Sequence, residues 1–290
     1  MFEAHFGGPG GLLSHHTQAR LRRIALYLTA LLVTTFVLTP LYVMAVVAFQ
    51  SPQTLFTGGE LTLLPPSLSL TNFEALLEKT DTVRYFANSL VITAGVVVLC
   101  TALSVVSGYG LTRFSFSGKT LVARVVLFSY MVSPIVLAIP LYIIFFSLGL
   151  LNSYVAAILA ITAIAAPFSI WLMWQYFQNI PMTYEESAWA SGASRWRTVR
   201  DVVLPLARPG YISVAIFSFA VAWNDYTMVK VVLSDQALYP ITIGSSLFLD
   251  QPFVGWGEQM AVTLLMSVPP FIVALFLQNY LLQGFNLGHD

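Results

Sequence analysis

The chain has 290 residues, with 13 basic and 13 acidic side chains and a formal net charge of zero; 57% of it is hydrophobic, 9% is charged and the mean hydropathy is +0.78. A soluble domain carries roughly 25% charged residues, so the composition excludes an ordinary water-soluble domain and points to the bilayer. The balanced charge gives no case for nucleic-acid binding, the lone Cys100 excludes an intrachain disulfide, and His5, His15, His16 and His289 lie too near the termini to build a catalytic or metal site in the body of the chain.

In chain order, residues 1–23 hold Gly7-Gly8-Pro9-Gly10-Gly11 and then Arg20, Arg22 and Arg23, and are expected to form a flexible cytoplasmic N-terminus. The apolar run after them is longer than a signal-peptide core of roughly 7–15 residues, so it reads as a retained first span. A spanning helix needs about 20 mostly apolar residues. Stretches 24–49, 85–111, 122–147, 153–177, 210–233 and 260–282 qualify, giving an all-α integral membrane protein with about six transmembrane helices in a single domain, 24–285. Residues 50–84 are a longer connector with Pro52, Gly58-Gly59, Pro65-Pro66 and a short amphipathic piece at 71–77. Residues 148–152 read as a tight turn, 178–209 as the longest polar stretch, and 286–290 as a cytoplasmic tail. Prolines 134, 140, 167, 269 and 270 interrupt the spans and imply kinks or a cavity, or only the higher proline content of membrane helices. Small residues at helical spacing, Ser104 with Gly108 and Ala156 with Ala160, allow close helix approach.

Orientation follows from the Lys/Arg bias. With the N-terminus inside, the inner segments hold Arg20, Arg22, Arg23, Arg113, Lys119, Arg124, Arg195, Arg197, Arg200 and Arg208, against only Lys79, Arg84 and Lys230 outside. The outer connectors are acidic: Glu60, Glu74, Glu78, Asp81, Asp235, Asp250 and Glu258. An even number of spans returns the C-terminus to the cytoplasm.

The 178–209 segment is the most specific. Thr183 followed by Glu186 has the spacing of a capping box, and Glu185 and Glu186 fall where a helix dipole favours negative charge, so a short helix is expected at about 183–191. Gly192 supplies a residue free to take a left-handed helix-ending conformation. A second helical piece is expected over 194–203, ended by Leu204-Pro205. The hairpin would expose Trp189 and Trp196. These residues alone leave two readings open: a protein-docking element, or an amphipathic hairpin on lipid headgroups.

The pattern Glu186-Ser187-Ala188, three residues, Gly192, nine residues, Val202-Val203-Leu204-Pro205 resembles the signature loop of importer-type ABC permeases, Glu-Ala-Ala, three residues, Gly, nine residues, Ile, one residue, Leu-Pro. Ser187 stands for an alanine and Val202 for an isoleucine; Ser191 stands where carbohydrate-type members often carry Asp. Asn72-Phe73-Glu74, Tyr85-Phe86-Ala87-Asn88-Ser89-Leu90, the 109–119 stretch with Arg113-Phe114 and Ser117-Gly118-Lys119, the 148–154 turn, Ile180-Pro181 and Ala222-Trp223-Asn224-Asp225-Tyr226 are similar to the carbohydrate subfamily typified by the smaller maltose-transporter permease, over roughly 24–285. The resemblance implies a type I ABC importer permease fold in a bacterial or archaeal plasma (inner) membrane. It implies a binding-protein-dependent importer of a sugar or oligosaccharide, with a polyol or glycerol phosphate as the alternative cargo. The implied partners are a second, different permease subunit, a cytosolic ATPase dimer that carries ATP and Mg2+, and an extracytoplasmic solute-binding protein. Glu185, Glu186, Ser187, Ala188, Gly192, Val202, Leu204 and Pro205 are then the residues that couple to the ATPase.

Trp223, Asn224, Asp225 and Tyr226 are candidates for the substrate pathway, since amides, carboxylates and aromatic faces suit a sugar and an intramembrane carboxylate is functional by default; packing between helices is the other reading. Ser117-Gly118-Lys119-Thr120 ends like a P-loop, but Arg113 stands where its first glycine belongs, so the chain is expected to be a transport subunit without an ATPase site, binding no cofactor of its own. A stand-alone secondary transporter is the rival class; it would show internal repeats and buried mid-membrane charges, and both are weak here.

Overall fold

A computed structural model describes residues 15–51, 68–248 and 255–285. The Gly-rich segment 7–11, the tail 286–290, and Pro52, Gly58, Gly59, Pro65, Pro66, Asp250 and Pro252 lie outside the described residues. Within them the chain is helical and no strand occurs.

Helix α1 (His15–Ala48) begins well before residue 24. No breaker separates His15 from the apolar run, and Gln18, Ala19, Arg20, Leu21, Arg22 and Arg23 favour helix, so the helix runs back to His15 although the stretch apolar enough to span begins at Arg22. Its central part exposes Tyr27, Leu28 and Val37, which point to different sides of the helix, as a lipid-facing helix does. Among its described side chains only the last turn, Val46–Ala48, is buried, where the helix meets α2 (Thr71–Lys79), which corresponds to the amphipathic piece expected at 71–77, and the helix at Trp256–Phe285. The Asn72 Nδ2 amide donates to the carbonyls of Val47, Ala48 and Gln50 at 3.3, 2.9 and 2.7 Å, satisfying the open C-terminal end of α1.

Helix α3 (Thr82–Arg113) and α6 (Tyr154–Gln178) form the centre of the bundle, side by side and running in the same direction. Small residues set their spacing: Ala156, Ala157 and Ala160 are fully buried, and a Cβ on Gly108 would lie 3.0 Å from the backbone nitrogen of Trp174. Both helices are long and apolar enough to cross a membrane alone, as are residues 22–48 of α1 and α12 (Trp256–Phe285) over 256–276.

The other two expected spans are broken: the first at Pro134, one of the prolines expected to kink a span, and the second at Asp225, where the sequence offered no sign of a break. Span 122–147 is a bent pair, α4 (Lys119–Ser129) and α5 (Pro134–Ser147), at 101°. Pro134 denies its N–H to a preceding turn and pushes Ser133 to ψ 135°, so the helix stops and restarts. Span 210–233 ends early: α9 (Arg208–Asn224) stops at Asp225, whose Oδ1 accepts from the N–H groups of Met228 and Val229, both at 3.1 Å, and starts the short α10 (Thr227–Val232) instead. By contrast Pro140, Pro167, Pro269 and Pro270 lie inside uninterrupted helices.

Beyond α10, a turn of 3₁₀ helix (Gln236–Leu238) and α11 (Ile241–Phe248) fold back over the same end of the bundle. Asn88 and Ser89 of α3 hold this segment: Asn88 Nδ2 donates to the carbonyls of Ala237 and Tyr239, both at 2.9 Å, Tyr154 Oη donates to Asn88 Oδ1, and Ile241 N donates to Ser89 Oγ. Asn152, with φ 59°, accepts from Ser234 N and Asp235 N and ties in the 148–152 turn.

Candidate functional site

At the opposite end of the bundle, residues 179–207 leave α6 and return to α9. Helix α7 (Thr183–Ala190) forms where a short helix is expected, but not through a capping box. Met182 is the N-cap and Thr183 is already helical, so its hydroxyl cannot reach back across the first turn; the N–H groups of Glu185 and Glu186 bond to the carbonyl of Met182 instead. Ser187 Oγ and Ser191 Oγ donate one turn back, to the carbonyls of Thr183 and Ser187. Gly192 follows at φ +87° with open space around its missing Cβ, so the turn needs glycine for its backbone and not for room.

The second helical piece is capped by Ser194, whose Oγ accepts from Arg197 N at 3.3 Å. It runs as α8 (Arg195–Thr198), a π turn (Val199–Val203) and a last turn (Leu204–Leu206). Leu204-Pro205 therefore does not end it: Leu204 keeps helical angles and Pro205 sits in the first turn of the segment after the π turn, where its missing N–H is not needed. The break comes at Ala207, where the path bends 69° into α9. Only one of the two tryptophans is exposed: Trp196 is 74% accessible, whereas Trp189 is half-buried under the guanidinium of Arg195, 4.9 Å from its ring centre.

The structure divides the loop residues singled out in the sequence. Glu186, Ser187 and Gly192 face outward and Ala188 is half-covered, so the free side of α7 is compact and accessible. Val202 and Leu204 are partly buried and Pro205 is exposed. Glu185 is different: it is fully buried, turned back into the bundle. Its Oε1 meets Arg113 Nε at 2.5 Å, its Oε2 accepts from Tyr109 Oη at 2.8 Å, and Arg113 donates a second bond from Nη2 to the carbonyl of Ile180 at 3.0 Å. Tyr109 packs edge-on against Phe177, and Met173, Phe177, Ile180, Val203, Ala207 and Val214 close the apolar layer beneath. From the sequence, Arg113 entered as a charge that sets orientation, as part of the Arg113-Phe114 family stretch and as the residue that rules out a P-loop, not as a partner of Glu185. The signal for its second role is its place in the last turn of an apolar helix, one turn beyond Tyr109.

The pathway candidates separate as well. Trp223 is 3% exposed, donates from Nε1 to the Met266 carbonyl at 3.0 Å, and packs between Phe86 and Phe219, so it joins α9 to α12. Asp225 spends its carboxylate on α10, and its carbonyl accepts from Thr242 Oγ1. Asn224 and Tyr226 are exposed. Asn224 lines an open groove of about 470 Å³ between α9 and α12, together with Thr263, Ser267, Phe271 and the small exposed part of Trp223.

Residues 100–287, from the middle of α3 through α12, match the family described as binding-protein-dependent transport system inner membrane component. The chain belongs to that family. Among its relatives, the permease is 29% identical over 270 residues to the inner membrane ABC transporter permease protein YcjP of Escherichia coli, covering 92% of this chain and 96% of that one. It is 30% identical over 271 residues to the trehalose/maltose transport system permease protein MalG of Thermococcus litoralis, with the same coverage. Its fold matches a chain in the crystal structure of a bacterial ABC transporter involved in the import of the acidic polysaccharide alginate, with a TM-score of 0.76 over 93% of the permease and 99% of that chain at 21% identity. The permease is thus a multi-pass membrane protein with the type I ABC importer fold.

Proposed function

We propose that this permease is a transmembrane subunit of an ATP-driven importer of a sugar or oligosaccharide, and that it couples to a cytosolic ATPase through the 183–205 loop. The observation that carries the reading is α7: a short helix whose outer side presents Glu186, Ser187 and Ala188 beside the Gly192 turn, fixed at its base by a buried ion pair. A hairpin that merely rested on lipid would need no such rooting. The sugar class rests on relatives such as the trehalose/maltose permease. On this reading the basic end of the bundle is cytoplasmic, and α7 docks in a cleft of the ATPase, which binds ATP and Mg2+ and performs the hydrolysis. A second, different permease subunit completes the pathway, and a solute-binding protein delivers cargo at the other face. ATP closes the ATPase dimer and draws the docked helices together; for that to shift the bundle, α7 must contact its partner differently in the two states.

The test is co-purification in mild detergent with the cognate ATPase and second permease subunit, followed by ATP-dependent uptake of labelled oligosaccharides into proteoliposomes bearing the complex and binding protein. Wild type is expected to retain the ATPase, Glu186→Ala to weaken it, and Gly192→Asp to lose it while keeping the permease partner. A folded wild type that retains no ATPase overturns the coupling reading; retention with uptake of polyols or phosphorylated glycerol but no sugar overturns the cargo.

A further inference from the structure

The buried ion pair at the base of α7 has a consequence for how motion leaves the loop, and this rests on the coupling reading above. Glu185 and Glu186 are neighbours on one short helix, yet Glu186 is exposed while the Glu185 side chain is 1% accessible. Both Glu185 oxygens are occupied by residues of α3, Arg113 and Tyr109, one turn apart. Arg113, 10% accessible, also holds the Ile180 carbonyl two residues past the end of α6, and Tyr109 packs on Phe177 in the last turn of that helix. Three elements, α3, α6 and α7, therefore converge on one charge-assisted cluster. Charge-assisted bonds of this kind are directional and about twice as strong as neutral ones, and separating the partners of a buried pair leaves an uncompensated charge, which opposes any movement of α7 away from α3. Above the cluster, α3 and α6 are already locked by the close approach at Gly108 and a second at Gly95, where a Cβ would collide with Ile158.

We propose that Glu185 is a positioning residue rather than an ATPase contact: with Tyr109 and Arg113 it welds α7 to the α3–α6 pair, so that displacement of α7 by the ATPase moves α3 and α6 as one body. Bending is then left to the breaks outside this body, at 130–133 in the α4–α5 pair and at Ala207 before α9. The two adjacent glutamates have separate tasks. Glu186 faces the partner and Glu185 carries its movement inward.

The experiment uses the whole complex in nanodiscs with ATPase, second permease and binding protein, with Cys100 replaced by alanine. Spin labels at Ala190→Cys on α7 and Val106→Cys on the exposed side of α3 report the distance between the two elements with and without ATP. In the otherwise wild-type complex the distance distribution is expected to be narrow and unmoved by ATP. Glu185→Gln is expected to keep the ATPase bound, to broaden the distribution and make it respond to ATP, and to lower transport about tenfold relative to ATP hydrolysed, as loss of a coupling element does. Tyr109→Phe removes one bond and keeps the ion pair, so it is expected to fold normally and show a smaller version of the same effect. A wild-type distance that changes with ATP overturns the proposal, as does a Glu185→Gln complex whose ATPase retention is weakened the way that of Glu186→Ala is, or one with unchanged transport per ATP. A wild type that binds no ATPase is a different failure, and it overturns the importer reading itself.

Discussion

Arg113 Nε and Glu185 Oε1 meet at 2.5 Å across 72 residues of chain, nearly closed to solvent, at the point where α3, α6 and α7 converge. Taking two charges out of water is costly, and what remains after removing one partner is an uncompensated charge. Glu185→Ala should therefore destabilise the folded permease by about 3–5 kcal/mol, leaving Arg113 stranded. The double variant Arg113→Met/Glu185→Leu, which replaces the pair by apolar groups, should recover most of that loss. Thermal unfolding in detergent, followed by size-exclusion of the remaining monodisperse protein, orders the three proteins. A double variant no more stable than Glu185→Ala would show that the cost lies elsewhere than in the stranded charge.

Gly192 makes a sharper claim about backbone than about space. Its φ of +87° disfavours any residue with a Cβ, but nothing crowds the position. Alanine should cost about 1–2 kcal/mol, asparagine less because it tolerates left-handed angles, and valine more. The order Gly, Asn, Ala, Val should appear both in thermal stability and in retention of the cognate ATPase. A permease indifferent to valine at this position would mean that the turn is not needed in the docked state.

Asn88 joins α3 to the segment that folds over the far end of the bundle. Replacing it by alanine leaves the Tyr154 hydroxyl and the carbonyls of Ala237 and Tyr239 without their partner, each worth about 1–3 kcal/mol when buried. The expected result is local: faster hydrogen exchange over residues 233–241 with exchange in α7 unchanged. Acceleration across the whole chain would mean that the segment is part of the global unfolding unit and not a separately fastened cap.

What was legible in the sequence follows the strength of the physical signal behind it. The bilayer demands long apolar runs, so α3 and α6 could be placed to within a few residues, and glycine's freedom at positive φ marked the turn at Gly192. Proline was a poorer guide. Pro134 breaks a span because Ser133 goes extended before it, whereas Pro140, Pro167, Pro269 and Pro270 are carried inside helices, and no local pattern separates the two behaviours. Asp225 ends α9 by bonding forward to Met228 and Val229, a choice made by a side chain that reads from the sequence as a pathway carboxylate. Glu185 was hidden for another reason. Its partners Tyr109 and Arg113 are brought to it by tertiary structure, so in the chain it looks equivalent to Glu186.

The same tertiary sorting separates the pathway candidates, and it gives a direct test of them. Trp223 is closed between Phe86, Phe219 and the Met266 carbonyl, while Asn224, its neighbour, stands exposed at the groove between α9 and α12 and, among the described residues, bonds only to the Ala220 carbonyl of its own helix. Trp223→Ala should act on folding, costing about 3–5 kcal/mol as large aromatic truncations in cores do, with transport lost in proportion to folded protein. Asn224→Ala should leave the melting temperature within a degree or so, since an exposed helical position with no distant partner contributes little. As a candidate for the pathway it is expected to act on transport instead, raising the apparent KM by a factor of about 5–10, the size of one lost hydrogen bond, read in proteoliposomes over a range of binding-protein concentrations. If Asn224→Ala transports like wild type, the exposed end of α9 takes no part in the passage of the cargo, and the groove is better assigned to packing against the second permease subunit.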